Sequence, residues 1–420
     1  MADTPHIYVA LPVMGERDWL PATLDAIAGQ RFRNFSVVIC VNQPDSWWDD
    51  PEHAAICHDN QHLIDLLRSE SRFPIDIMDR SSRGSGWQGK QAGVGWARKT
   101  VMDHCALKAE ATDIILSLDA DTLFAEAYFD SVARVLSNLP DAMALAVPYY
   151  HRVPADPRAA RAILRYEIYM RYYLLNLRRI GSPYAFTALG SAMAVPVWAY
   201  RKVGGMTPRL SGEDFYFLQK LRKAGRLISW CGEKVHPAAR FSSRVFFGTG
   251  PAMIRGANGD WDSYPVYPFG LFDEIAEGYG RFPELFHRFV DTPVTRFLRE
   301  QAREEDPFAL LRINFREPES FIRACHEKFD GLRILQYLKQ NRLRFPQSDE
   351  QNLMEWLETF YSSDAGYRCF SPRDLGGIAV TMLPDPEHFS FTESSIETLD
   401  CLRNFLEREE EKYRRSSLLL

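Results

Sequence analysis

Short apolar runs alternating with helical stretches over the first 150 residues constrain this chain more than any other feature. HIYVALPV (6–13), SVVICV (36–41), IDIM (75–78) and DIILSLDAD (113–121) are bounded by turn residues such as Asn42, Gln43, Pro44 and Asp45. Between the first two runs, Leu20, Leu24 and Ile27 recur at helical spacing. Brief β-branched runs separated by helices predict parallel strands buried on both faces. MALAVPYY (143–150), GSAMAVPVWAY (190–200) and RLISWCGEKV (226–235) add further apolar segments, and residues 156–181 read as one long helix rich in Tyr and Arg. Beyond about residue 250, loops rich in Gly, Pro and aromatics give way to helices, with Ser394 and Glu397 at capping-box spacing before one of them. The expected fold class is α/β: a Rossmann-like, mostly parallel sheet flanked by helices over 1–250, then a mainly α-helical region over 251–420.

Composition narrows the function classes. The 420 residues carry 50 Lys+Arg against 56 Asp+Glu, a net charge of -6, so a general nucleic-acid binder is not expected. The seven cysteines are scattered with no C-x-x-C pair, and their odd number argues against a disulfide framework. MADTPHIYVA lacks the basic start and apolar stretch of a signal peptide, and no window reaches the ~18 apolar residues of a spanning helix. A cytoplasmic protein without a transmembrane segment is the expectation.

The segment Leu118-Asp119-Ala120-Asp121 concentrates the chemistry. Were the chain extended there, Asp119 and Asp121 would project to one side, at the carboxyl end of a strand where ligands of open α/β sheets gather. Two close carboxylates repel, and a hard divalent cation (Mn2+ or Mg2+) relieves that cost while binding phosphate oxygens. The competing reading is a helix cap beside a solvated carboxylate.

Several elements in order resemble the family-2 glycosyltransferases of the GT-A fold, over residues 6–240. ALPVMGE retains the Pro12 and Glu16 of the first-strand pattern, Gln30 closes the first helix, and GVGWARK (93–99) puts Arg98 at the family arginine. LDAD supplies the D-x-D, and VGGM followed by SGEDFYFLQKLRKAGRL resembles the family's late GG…ED element. Two departures stand out: Gly15 replaces an asparagine, and Val41-Asn42-Gln43-Pro44 replaces the acidic element that recognises the nucleobase.

The resemblance implies a metal-dependent transferase that moves a sugar from a UDP- or GDP-linked donor to a hydroxyl acceptor (a small molecule, a glycan or a lipid-linked sugar met at the membrane surface). It makes Asp214 the base, with Glu213 orienting the acceptor or its loop, and inversion at the sugar carbon follows. Asp119, Asp121 and His236 would hold the cation; Pro12, Asn42, Lys90, Arg98 and Asp119 would bind the nucleotide-sugar. Asn42 carries donor and acceptor for a base edge.

Other segments admit two readings each. RSSRGSGWQGKQAG (80–93) is either a phosphate cradle presenting Lys90 or a mobile surface loop, and it is no Walker loop because Gln91 follows Lys90. ARFSSRVFFGTGPAM (239–253) is a lid over phosphate or a surface turn, and the aromatic run 261–272 offers sugar stacking or packing between domains. His58 and His62 lack the glutamate of H-E-x-x-H, against zinc. The Tyr/Arg-rich helix suits a core or a homodimer contact. A retaining transferase on the same fold and a non-catalytic binding module are the alternatives; a nucleotidyltransferase would need a glycine-rich loop after the first strand, which ALPVMGERDW lacks.

Overall fold

The computed structural model describes residues 4–89, 91–242, 248–361 and 389–416. Its α/β part runs β1 (Ile7–Val13), α1 (Leu20–Ala28), β2 (Phe35–Asn42), α2 (Ala54–Arg68), β3 (Ile75–Arg80), α3 (Val94–Lys108), β4 (Ile114–Ser117) and β5 (Thr122–Phe124). There follow α4 (Tyr128–Asn138), β6 (Ala144–Ala146), α5 (Pro157–Arg179), β7 (Met193–Pro196), α6 (Val197–Lys202), α7 (Glu213–Ala224), β8 (Leu227–Ile228), β9 (Val235–Pro237) and α8 (Thr249–Ala257).

Seven strands form one sheet in the order β3-β2-β1-β4-β7-β6-β8. β1 pairs in parallel with β2 and β4, β2 with β3, and β6 with β8. β7 is antiparallel to both neighbours. The central strands are nearly all apolar because both faces are covered; Ala97, Val101, Met102 and Cys105 of α3 join Ala10, Val38, Cys40 and Ile115 in one buried cluster. At this level the expected fold class is the observed one.

Three local expectations are corrected. The D-x-D is not in extended chain: β4 stops at Ser117, and the N–H of Thr122 donates to the Asp119 carbonyl at 3.2 Å, closing a turn. Asp is favoured at the first position of such turns. The run 226–235 is not one strand but β8 and the start of β9, and His236 lies inside β9 opposite Leu123 rather than after a strand. The helix Ile396–Ser416 is capped by Ser395, whose Oγ accepts the Thr398 N–H, while Ser394 Oγ accepts from Ser390 N–H.

The chain divides into two compact units: 1–159 with 186–258 and 414–420, and 160–185 with 259–413. The long helix therefore groups from residue 160 onward with the helical region, which the division at 250 did not foresee. Its side chains give the reason. Arg171, buried, is paired to Glu167 at 3.1 Å and Glu410 at 2.6 Å, and the Tyr172 hydroxyl donates to the Tyr267 carbonyl at 2.5 Å. The aromatic run packs within this same unit: Arg165 lies over Trp261, and Tyr264 meets Tyr166 and Tyr169 edge-on. Among the described residues no helix is long and apolar enough to cross a membrane.

Candidate active site

The carboxyl ends of β1 and β4 carry the acidic residues. After Val13 the chain turns at Gly15, whose φ of 61° lies in the left-handed region that a glycine adopts without strain. The Gly15 N–H donates to Asn60 Oδ1 at 2.9 Å, and the Asn60 amide donates to Gln43 Oε1 at 2.8 Å and the Asn42 carbonyl at 3.3 Å. This buried network fixes the loop that delivers Glu16.

Arg98 organises the other side. From α3 its Nε donates to Glu213 Oε1 at 3.0 Å, Nη1 to Ser117 Oγ at 2.8 Å and the Gly190 carbonyl at 3.0 Å, and Nη2 to Asp119 Oδ1 at 2.8 Å. The side chain is 3% exposed. Burial alone would lower the guanidinium pKa, but Asp119 and Glu213 outweigh it and raise the value. Arg98 thus joins the turn after β4 to the start of α7.

Asp121 is held by a different arginine. Arg240 donates from Nε and Nη2 to Asp121 Oδ2 at 3.0 and 2.7 Å, and from Nη2 to the Glu16 oxygens at 2.6 and 2.8 Å. The turn carrying both aspartates is pinned from α1, where Thr23 Oγ1 donates to the Ala120 carbonyl at 2.8 Å. Asp119 is the open member of the pair, with its side chain 37% exposed against 17% for Asp121. Asp119 Oδ2 accepts no hydrogen bond among the described residues.

Asp214 sits in the first turn of α7, half-buried beside Glu213. Desolvation pushes its carboxyl up to about 7, Glu213 adds to the rise, and Arg98 opposes it. His236 Nδ1 donates to the Tyr150 carbonyl at 2.9 Å. Two residues on, the Ala238 N–H donates to the Asp121 carbonyl.

Other expected residues lie as follows. Pro12 is buried in β1 opposite Cys40. Asn42 is buried, its Nδ2 donating to the Val13 carbonyl at 2.8 Å and its Oδ1 accepting from Trp87 Nε1 at 3.1 Å; both ends of the amide hold strands and loop together rather than facing a base. Lys90 lies outside the described residues, as does Arg244. The rest of the 80–89 loop is tied down: Asp79 accepts from the Ser81 and Ser82 N–H groups at 2.9 Å each, Asp45 from the Gly84 N–H at 2.7 Å, and Trp87 N–H donates to the Gln43 carbonyl. Sequence reasoning missed Ser117, Gly190 and Asn60, none of which stands in a motif.

The donor set suits a hard cation chemically, being carboxylate oxygen with one imidazole. Arg98 pairs with Asp119 and Glu213, and Arg240 with Glu16 and Asp121. Among the described residues no group of three potential metal ligands converges.

No family model matches the sequence, and no curated protein matches it. Solved structures do. One is S. aureus TarS in complex with UDP-GlcNAc, 12% identical, with 97% of this chain and 92% of that chain covered and a TM-score of 0.42. Another is the mannosyltransferase PcManGT from Pyrobaculum calidifontis in complex with GDP-Man and Mn2+, 14% identical, with 98% and 88% covered and a TM-score of 0.38. In fold the chain is similar to these glycosyltransferases.

Proposed function

We infer that the protein is a nucleotide-sugar glycosyltransferase that inverts the sugar carbon, with Asp214 as base and a UDP- or GDP-linked donor. One observation carries this reading: Arg98 joins Asp119, at the carboxyl end of β4, to Glu213, the neighbour of Asp214. Asp119 and Glu213, assigned to donor and acceptor chemistry, are thereby linked through a single guanidinium.

Asp119, Asp121 and His236 are the residues assigned to a Mn2+ or Mg2+ ion, which when bound neutralises charge on the leaving diphosphate. Asp214, with its pKa near neutrality, is matched to accept a proton from the acceptor hydroxyl. Glu213 keeps the Arg98 bridge in place and, through it, the separation between the two sides of the reaction. Lys90, on the glycine-rich segment, is assigned a phosphate contact on sequence grounds.

The test is a panel of UDP- and GDP-sugars, scored for thermal stabilisation and for release of nucleoside diphosphate with Mn2+ present. A true donor raises the Tm, since a ligand of the folded state must stabilise it, and Asp119→Asn lowers release by about 100-fold or more. A panel in which no nucleotide raises the Tm and none is cleaved overturns the reading in favour of a non-catalytic module.

A further inference from the structure

We propose that Gly95 is a positioning residue for the base: having no side chain, it seats the loop before α7 on the first turn of α3, backbone against backbone, and that seat fixes where Glu213 and Asp214 stand. Its effect on transfer rests on the nucleotide-sugar reading; the seat itself does not.

Helix formation does not call for a glycine here. Gly95 is the second residue of α3, and its φ lies outside the left-handed region. Alanine is the better helix former at such a place. The neighbouring loop is what excludes it. A β-carbon on Gly95 would sit 2.0 Å from the Arg209 carbonyl oxygen and 2.6 Å from the Arg209 amide nitrogen, well inside the ~3.5–4.0 Å of a relaxed contact. Both clashing atoms are backbone, so no change of rotamer relieves them, and loop or helix must shift by about 1 Å or more.

The loop is held on either side of this contact. Near its start, Gly205 lies against Tyr200, where a β-carbon would be 3.1 Å from the hydroxyl oxygen, and the Gly205 carbonyl accepts from Lys220 Nζ at 3.0 Å. At its end, Glu213 is bonded by Arg98, one turn along α3 from Gly95. Between these anchors, Arg209 is clasped from both helices. Its backbone rests on Gly95, and its guanidinium lies 3.5 Å from the centre of the Tyr216 ring, one turn into α7. A cation over an aromatic face is attracted to it. Asp214 stands between Arg209 and Tyr216 in the chain, so a shift of the clasp carries its carboxyl along. A displacement of about 1 Å at a reacting group can cost about 100-fold in rate.

Hydrogen–deuterium exchange of the full-length chain tests the seat without any nucleotide. Gly95→Ala is expected to speed exchange at least about tenfold across 206–217 and to leave β1, β2 and β4 at the parental rate, because the opening is local. Arg209→Ala, which takes the guanidinium off Tyr216 and spares the backbone contact, is expected to do the same to a smaller degree and serves if the Gly95 variant folds poorly. Release of nucleoside diphosphate from UDP- and GDP-sugars with Mn2+ present then tests the consequence. In Gly95→Ala, kcat is expected to fall about 100-fold while KM for the donor stays within about threefold of the parent, since Arg98 keeps Ser117, Gly190 and Asp119. A glycine with only a structural part would, when replaced, speed exchange throughout the chain and leave kcat per folded molecule unchanged. That outcome, or parental exchange in both variants, overturns the proposal. Local opening with no donor cleaved even by the parent sinks the nucleotide-sugar reading and leaves the seat standing. A donor cleaved equally well by parent and Gly95→Ala does the reverse.

Discussion

Gly190 lies so close against Arg98 that a β-carbon on it would sit 2.7 Å from the guanidinium carbon. Its carbonyl also receives both Arg98 Nη1 and Ser117 Oγ, at 3.0 and 2.7 Å. The bridge between Asp119 and Glu213 therefore depends on a residue that bears no titratable group.

Gly190→Ala should push Arg98 off its partners. Breaking buried ion pairs costs about 3–5 kcal/mol, so chemical denaturation should show a loss of that order. Arg98→Met should show a similar loss, because Asp119 and Glu213 are left uncompensated. Stability within about 0.5 kcal/mol of the parent for either variant would contradict the bridge.

Asp214 should set a pH dependence of opposite sign for activity and stability. Its carboxyl titrates at about 7 in the folded protein, above the usual carboxylate range, because of burial and then Glu213. A raised value means the protonated form is favoured on folding, so its stabilisation is complete below about pH 4 and is lost as the pH rises through 7. Transfer should rise across that same interval as the base ionises. Asp214→Asn should therefore abolish transfer, keep donor binding, and melt about 2 °C or more higher than the parent at pH 8 with little difference at pH 4. Full activity in that variant would remove Asp214 from the mechanism.

Asp119→Asn and Asp121→Asn should separate the two arginine clusters. Both should lose donor turnover. Thermal stability should drop more for the Asp119 variant, whose arginine is fully buried, than for the Asp121 variant, whose arginine sits at the rim. Equal losses of stability would argue that the two guanidiniums are alike.

In the helical unit, Arg171→Leu should destabilise by about 3–5 kcal/mol, since Glu167 and Glu410 would each lose a buried ion-pair partner. A loss below about 0.5 kcal/mol in chemical denaturation would contradict a structural role for these pairs.

Much of the α/β unit is legible because buried parallel strands must be apolar: IYVALPV, FSVVICVN and IILS each announce themselves. Glu16, Asp119, Asp121, Glu213 and Asp214 were legible as members of motifs. Their pairings were not, because Arg98 meets Glu213 across 115 residues and Arg240 meets Glu16 across 224, and no local pattern encodes such contacts. The turn at Asp119 was hidden by a continuous apolar run that ends one residue beyond the strand. Asn42 read as a base contact because an amide pairs with anything, and only the fold reveals that Val13 and Trp87 claim it first.

A crystal grown with Mn2+ and UDP or GDP addresses the core assignment most directly. The account predicts a diphosphate beyond the carboxyl ends of β1 and β4, with the ion on Asp119 and Asp121 and the Arg98 bridge to Glu213 intact. A nucleotide bound elsewhere, with both aspartates still closed on their arginines, would contradict it.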